Sequence, residues 1–240
     1  MKKQLFSALL TSAMVLAAVP MSAFALEPVI APKPVIAPTP IIAPQPEVTL
    51  IDVPANHWAE SQAKRMVKEG YMLLDQENRF LPDQSVTRAQ LVDALWRMSG
   101  KPVVNYQMKF EDVQEGSEMA EAIRWAAAEK IASGYGNGSF GANDLLTREQ
   151  MATIVYQYVQ KFDMGFKGTW MFLLKFEDAA DISEFANEPM HWLVANRLMA
   201  GDGNKLMPKG TLNRAEEAVI LSQLMDLAAD KGISFSNYGG

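Results

Sequence analysis

The sequence contains no cysteine and only two histidines, and these shortages exclude several kinds of chemistry. Without cysteine the protein has no disulfides, no thiolate metal ligands and no thiol nucleophile. His57 and His191 do not show the spacing of a paired metal site, and no phosphate-binding loop or nucleotide fingerprint occurs. We therefore expect no catalytic residues, no metal and no cofactor, and a fold stabilised by an apolar core.

Basic residues are also in short supply. The chain has 22 Lys and Arg against 28 Asp and Glu, a formal net charge of −6. Proteins that bind nucleic acid usually show the opposite balance or a basic stripe, because they neutralise phosphates. We expect no nucleic-acid partner.

Long apolar segments are missing except at the N-terminus, where one runs from Leu5 to Val19. Lys2 and Lys3 precede this segment, and Ala23-Phe24-Ala25 follows it as a small-x-small cleavage pattern. The pattern is typical of a secretory signal peptide, and an amphipathic helix is a poor alternative because the segment has no polar face. The sequence predicts a signal peptide at residues 1–25, a secreted location at the cell wall or cell surface, and no membrane insertion after cleavage.

Proline is concentrated in a linker at residues 26–48. This segment contains the hexapeptide repeat PVIAPK-PVIAPT-PIIAPQ and seven of the thirteen prolines. Proline at this density disfavours both helix and central strand, because it fixes φ and removes backbone donors. We interpret the segment as a semi-rigid spacer, with a docking peptide for another protein as the alternative.

The rest of the chain contains an internal repeat. Each copy has an opening Asp and, 36 residues later, an Arg that follows a Thr or Asn. The Asp–Arg pairs are Asp52 and Arg88, Asp112 and Arg148, and Asp178 and Arg214. Repeats of this length correspond to one supersecondary unit that cannot bury its apolar face alone. We place the repeats at residues 49–100, 109–163 and 175–229, followed by a C-terminal tail at 230–240.

Apolar spacing within each copy predicts helix, loop, helix. In the second copy a helical stripe runs from Ala122 to Ile131 and stops at Gly134, the first residue of a glycine-rich loop suited to positive φ. A second helix is expected to begin at Arg148. The predicted fold is mostly α, with the three second helices together about a pseudo-threefold axis.

The start of the second helix has the spacing of a capping box, in which two side chains satisfy each other's backbone donors. The candidate pairs are Thr87 with Gln90, Thr147 with Gln150, and Asn213 with Glu216. These residues have a structural explanation, whereas a cation at the first helical position opposes the helix dipole. Two explanations of the Arg remain open. It forms an ion pair with a carboxylate such as Asp83 or Asp144, or it forms an anion site with free helix N–H groups.

The second copy resembles an S-layer homology repeat. The resemblance rests on the opening Phe110-Glu111-Asp112-Val113, the turn Gly134-Tyr135-Gly136-Asn137-Gly138 and the helix start Thr147-Arg148-Glu149-Gln150. It implies a three-pronged spindle around a central three-helix bundle. It also implies noncovalent binding to secondary cell-wall polysaccharide, often through an anionic, pyruvylated terminal sugar.

The resemblance also implies carbohydrate-binding residues. Arg88, Arg148 and Arg214 match the motif Arg, Trp58 matches the aromatic residue of the first helix, and Gly134 belongs to the matching turn. The later copies have Glu118 and Glu184 in the place of Trp58, the first copy lacks the glycine-rich turn, and the third has a shorter one. The expected binding grooves are therefore unequal, with the groove of Arg148 the strongest candidate.

These observations predict a non-enzymatic surface module whose partner is cell-wall polysaccharide. The module would anchor or structure the cell envelope. An adaptor that binds other envelope proteins through the repeats or the proline-rich segment is the alternative. A cell-wall hydrolase is less favoured, because no pair of carboxylates can be assigned acid and base roles.

Overall fold

The structure, a computed structural model, describes residues 48–117, 119–168 and 172–238. The predicted signal peptide and, apart from Val48, the predicted linker lie outside these residues. The described residues contain six α-helices and no β-strand. The helices are α1 (Glu60–Lys68), α2 (Arg88–Met98), α3 (Ala120–Ala128), α4 (Arg148–Gln160), α5 (Asn187–Ala195) and α6 (Arg214–Asp230). Three-residue 3₁₀ turns occur at Ala179–Asp181, Glu184–Ala186 and Phe235–Asn237.

Each repeat contributes two α-helices joined by a loop, which confirms the mostly α prediction. The helices α2, α4 and α6 begin at the motif Arg, as the sequence predicts. The first helix of the second repeat ends earlier than its apolar stripe suggests. In the second repeat α3 stops at Ala128, because Lys130 adopts a φ of 58°; Gly70 and Arg197 adopt φ values of 72° and 61° at the equivalent position.

The helices pair between repeats. The second helix of each repeat packs against the first helix of the next one, so that α2 contacts α3 and α4 contacts α5. The last helix, α6, returns to pack against α1. No repeat buries its apolar face by itself, which is the behaviour expected of repeat units of this length.

Three backbone hydrogen bonds close the repeats into a ring just before the second helices. The N–H of Val86 donates to Leu212 O (3.0 Å), that of Leu212 to Leu146 O (3.1 Å), and that of Leu146 to Val86 O (2.8 Å). All three side chains are buried. The ring excludes an open, linear stack of repeats, because the third copy binds the first as well as the second.

A capping box forms at the start of each second helix. In α4 the Thr147 hydroxyl accepts from the Gln150 N–H (3.3 Å), and the Gln150 side chain accepts from the Thr147 N–H (3.1 Å). Thr87 with Gln90 and Asn213 with Glu216 make the same pair of bonds. Each capping box thus provides acceptors for two backbone N–H groups at the start of its helix, which have no partner within the helix.

Replacing Thr147 with Ala is expected to lower the free energy of unfolding by about 1 kcal/mol, because the Gln150 N–H loses its acceptor. Urea unfolding followed by circular dichroism measures the change. Thr153→Ala is the control: this hydroxyl bonds the Glu149 carbonyl within the same helix (2.8 Å), and such bonds do not stabilise helices. Equal stability of the two variants would show that the cap contributes nothing.

Residues after α6 fold back onto the second repeat. Phe235 is buried against Tyr158 and Phe162, with ring centroids 5.1 and 4.8 Å away. The Tyr238 hydroxyl donates to Glu129 (2.7 Å). The described part of the predicted tail therefore contributes to the core.

Candidate functional site

The opening Asp of each repeat binds backbone N–H groups of its own loop. Asp112 accepts from Phe140 (2.7 Å), Gly141 (2.7 Å) and Ala142 (3.1 Å). Burial opposes ionisation of this carboxyl, but the backbone donors prevail and lower its pKa to about 2. Asp52 and Asp178 bind the equivalent loop residues in the same way, at Phe80–Leu81 and Leu206–Met207. Sequence reasoning gave these aspartates no role, although their constant spacing from the loop was visible.

The motif Arg of each repeat also binds such a loop, but the loop belongs to the next repeat. Its Nε donates to a backbone carbonyl: Arg88 to Phe140 O (3.2 Å), Arg148 to Leu206 O (2.8 Å) and Arg214 to Phe80 O (2.6 Å). Its Nη2 donates to a second carbonyl of the loop, on Ser133, Ala200 or Leu73 respectively. All three arginines are buried, at 5–8% exposure, and burial lowers the pKa of each guanidinium. Each loop is thus held between the Asp of its own repeat and the Arg of the preceding one.

These contacts give the Arg a structural role that neither of the two sequence-based explanations included. Neither Asp83 nor Asp144 forms the expected ion pair with it; Arg148 pairs instead with Glu216 (3.0 Å). The free N–H groups of the proposed anion site are also occupied. The backbone N–H groups of Arg148 and Glu149 donate to Gly210 O (2.9 Å) and Pro208 O (3.0 Å), and α2 and α6 show the same pattern.

Gly134 also has a packing role. A Cβ atom there would lie 2.5 Å from Ser139 O and 2.6 Å from a ring carbon of Phe110, so a larger residue does not fit. Positive φ occurs at Gly136 and Gly138 instead. Gly134 lines a cavity of about 290 Å³ with Tyr106 and Lys109 that neither Arg148 nor Trp58 lines.

The structure does bring together Trp58 and Arg148. They line one cavity of about 200 Å³, whose walls come from the loop Arg197–Ala200 and from α6. We call this cavity the Trp58–Arg148 groove. Trp58 belongs to the first repeat, Arg148 to the second and the walls to the third, so all three repeats are needed to form it.

The Trp58–Arg148 groove combines an accessible aromatic face with two cations. The Trp58 side chain is 60% exposed and stacks on His57, with ring centroids 5.5 Å apart. Arg197 is exposed at the rim, and sequence reasoning did not identify it. Arg148 uses three of its five N–H donors in the contacts above, one of them to Glu216, which also lines the groove; the other two have no partner among the described residues. Such a groove can hold a sugar ring against the indole and an anionic substituent against the guanidinium groups.

The corresponding sites at the other two arginines differ. Arg214 lines a cavity of about 220 Å³ together with Asp93, Glu217 and an ion pair between Arg79 and Asp75 (2.8 Å). We call it the Arg214 cavity. At Arg88 the ring of Tyr135 covers the guanidinium, whose Cζ lies 4.9 Å from the ring centroid. The three sites are therefore chemically unequal.

No described helix is long and apolar enough to cross a membrane. Within the same residues, no cluster of three or more His, Asp or Glu side chains could hold a metal ion.

A model of the S-layer homology domain matches residues 52–92, 109–152 and 175–217. Similar proteins include the S-layer protein sap of Bacillus anthracis, 29% identical over 73% of this chain and 21% of its own length. The cellulosome-anchoring protein of Acetivibrio thermocellus is 24% identical over 61% of this chain and 33% of its own length. The exoglucanase XynX of the same species is 29% identical over 75% of this chain and 16% of its own length. The chain thus spans a third or less of these relatives.

Proposed function

Because the chain belongs to the S-layer homology domain family, we propose that it is a non-catalytic module that binds cell-wall polysaccharide noncovalently and anchors to the cell surface. Support comes from relatives named as S-layer and cellulosome-anchoring proteins. The exoglucanase is similar to this chain over only a sixth of its length, which leaves room for its catalytic part elsewhere. No hydrolytic role follows from that similarity.

The observation that carries the proposal is the Trp58–Arg148 groove. We propose that the indole of Trp58 stacks on a sugar ring, and that Arg197 and the unused donors of Arg148 bind an anionic substituent such as a ketal-linked pyruvate. The protein has a net negative charge, so attraction to an anionic polymer must be local. Arg88, Arg214 and Gly134 would contribute at other sites, less directly because Tyr135 covers Arg88 and Gly134 lines a different cavity.

We further propose that the ring of repeats is a three-pronged spindle, with repeat boundaries at 49–100, 109–163 and 175–229. The cyclic pairing of α2 with α3, α4 with α5 and α6 with α1 supports this, as does the contact between α2 and α4. A crystal structure in which the repeats do not superpose by rotations of a third of a turn would contradict the spindle.

Removing either the indole or the exposed cation is expected to weaken binding to protein-free wall polysaccharide by roughly 10- to 100-fold, the scale of one charge-assisted or aromatic contact. The test variants are Trp58→Ala and Arg197→Gly, measured by calorimetry or by co-sedimentation. Glycine suits position 197 because its φ is 61°, so the second change removes the charge without straining the backbone.

Two control variants make the test specific. Trp58→Phe keeps a flat ring and should retain most of the affinity, and Val103→Ala changes an exposed side chain, at 85%, outside the groove. Unchanged affinity in both test variants would refute the groove. Binding that disappears when wall proteins are stripped would favour the adaptor, and release of reducing sugar would favour a hydrolase.

A further inference from the structure

A carboxyl group is buried in the third repeat where the other two repeats have apolar side chains. Glu217 follows Arg214 by three positions, and the equivalent residues after Arg88 and Arg148 are Leu91 and Met151. Glu217 is 1% exposed, and its Oε1 has no hydrogen-bond partner among the described residues. Burying a polar atom without a partner is costly, so the exchange of an apolar residue for Glu is not explained by packing.

Glu217 lines the Arg214 cavity, and several other ionisable side chains line it as well. Its own helix contributes Arg214, whose guanidinium is fixed by the Phe80 and Leu73 carbonyls. Helix α2 contributes Asp93, which binds Arg97 (2.7 Å). The loop of the first repeat contributes Tyr71 and the ion pair of Arg79 with Asp75.

The charge of this cavity depends on the protonation of Glu217. When its carboxyl is ionised, it offsets the charge of Arg214, and the cavity does not favour an anion. When it is protonated, the cavity gains one unit of positive charge, and the new O–H can donate to a ligand oxygen. Desolvation by burial raises the pKa of Glu217 to about 7, with Arg214 opposing the rise and Asp93 adding to it. The change of charge therefore falls in the neutral range.

We propose that the Arg214 cavity is a second, proton-coupled site for the anionic group of the wall polysaccharide, in which binding of the anion is accompanied by uptake of one proton from solution onto Glu217. The inference rests on the proposed function. It adds that the two sites respond differently to pH, because the residue beside Arg148 that corresponds to Glu217 is Met151, and the carboxylate that lines the Trp58–Arg148 groove, Glu216, is held in an ion pair with Arg148 (3.0 Å). Lower pH strengthens binding at the Arg214 cavity through Glu217.

The test uses the full chain carrying Trp58→Ala, which weakens the other groove, and a polysaccharide with ketal-linked pyruvate as the probe. Calorimetry at pH 6 and pH 8.5 is expected to show roughly tenfold tighter binding at pH 6, since the proton must be supplied as pH rises above the pKa. Repeating the titration at pH 8.5 in buffers of different ionisation enthalpy counts the protons taken up. Adding Glu217→Gln, which mimics the protonated acid, should make the affinity independent of pH.

The possible failures are distinct. Absence of binding by the unmodified chain at every pH would refute the proposed function and with it this inference. Binding by the unmodified chain, with no proton uptake or with the same pH response in the Glu217→Gln variant, would refute the inference alone. If Glu217→Gln does not fold, Glu217→Met, which has the residue of the second repeat, replaces it. The number of protons taken up by the protein with Glu217 intact still decides the inference.

Discussion

Replacing Arg148 with Ala is expected to lower the free energy of unfolding by about 3–5 kcal/mol, the loss typical of breaking a buried hydrogen-bonded charge network. The change removes the donors of the Leu206 and Ala200 carbonyls (2.8 and 2.6 Å) and leaves Glu216 Oε1 without its ion-pair partner (3.0 Å). The loss of the unfavourable dipole interaction recovers only several tenths of a kcal/mol, up to about 1 kcal/mol, and does not change the sign.

Urea unfolding measures this loss, and two further variants interpret it. Arg148→Lys keeps the charge but cannot donate to both carbonyls in the geometry of a guanidinium, so most of the loss should remain. Arg197→Gly removes an exposed cation from the same groove and should change stability by less than about 0.5 kcal/mol in either direction. An Arg148→Ala variant as stable as the unmodified protein would show that the inter-repeat contacts do not hold the ring together.

Replacing Glu217 with Met is expected to stabilise the protein by on the order of 3 kcal/mol at pH 8 and by clearly less at pH 5. Burial raises the pKa of Glu217 from 4.5 to about 7, so the native state holds a proton that the unfolded state has released. Stability from this group is therefore present below pH 4.5 and is lost as pH rises to about 7. The variant, with the side chain that the second repeat has at Met151, does not undergo this loss.

The informative quantity is the difference between the two proteins, since other groups also titrate between pH 5 and pH 8. Urea unfolding at both values should give a stabilisation that grows with pH. Glu121→Met replaces an acid whose side chain is 46% exposed and should show no such growth. A Glu217→Met variant with the same pH dependence as the unmodified protein would contradict the assignment of a raised pKa to this residue.

Local features of the fold could be predicted from the sequence, because their signals lie within a few residues. The capping boxes involve side chains three positions apart, and the starts of α2, α4 and α6 follow from them. The repeat itself was visible in a constant spacing between Asp and Arg. Helix content and the number of helix-loop-helix units follow from these signals.

The role of the motif Arg could not be predicted, because its partners lie in another repeat. The separations in sequence are 52 residues for Arg88, 58 for Arg148 and 134 for Arg214. Sequence spacing can suggest a nearby carboxylate as the partner of an Arg. A backbone carbonyl is present in every residue, so a bond to it cannot be read from the sequence. The same limit hid which helices pair between repeats, since nothing local indicates that α6 packs against α1.

One tertiary contact did leave a trace in the sequence. The second repeat has Phe110 packed against Gly134, where no side chain fits. The first repeat has Leu50 and Leu74 at the same two positions. A smaller opening residue therefore accompanies a larger loop residue, and this paired change indicates the packing contact at Gly134. The Trp58–Arg148 groove left no such trace, because it joins three repeats.

The most direct measurement is nuclear magnetic resonance mapping of ¹⁵N-labelled protein titrated with protein-free wall polysaccharide. The resonances of the Trp58 indole N–H and the Arg197 Nε–H should shift as polymer is added, and the shifts should reach a plateau. The indole N–H resonances of Trp96 and Trp192 should not shift, because these groups donate to backbone carbonyls at 2.9 and 3.0 Å. Shifts that cluster away from the groove, or none at a saturating concentration of polymer, would contradict the account.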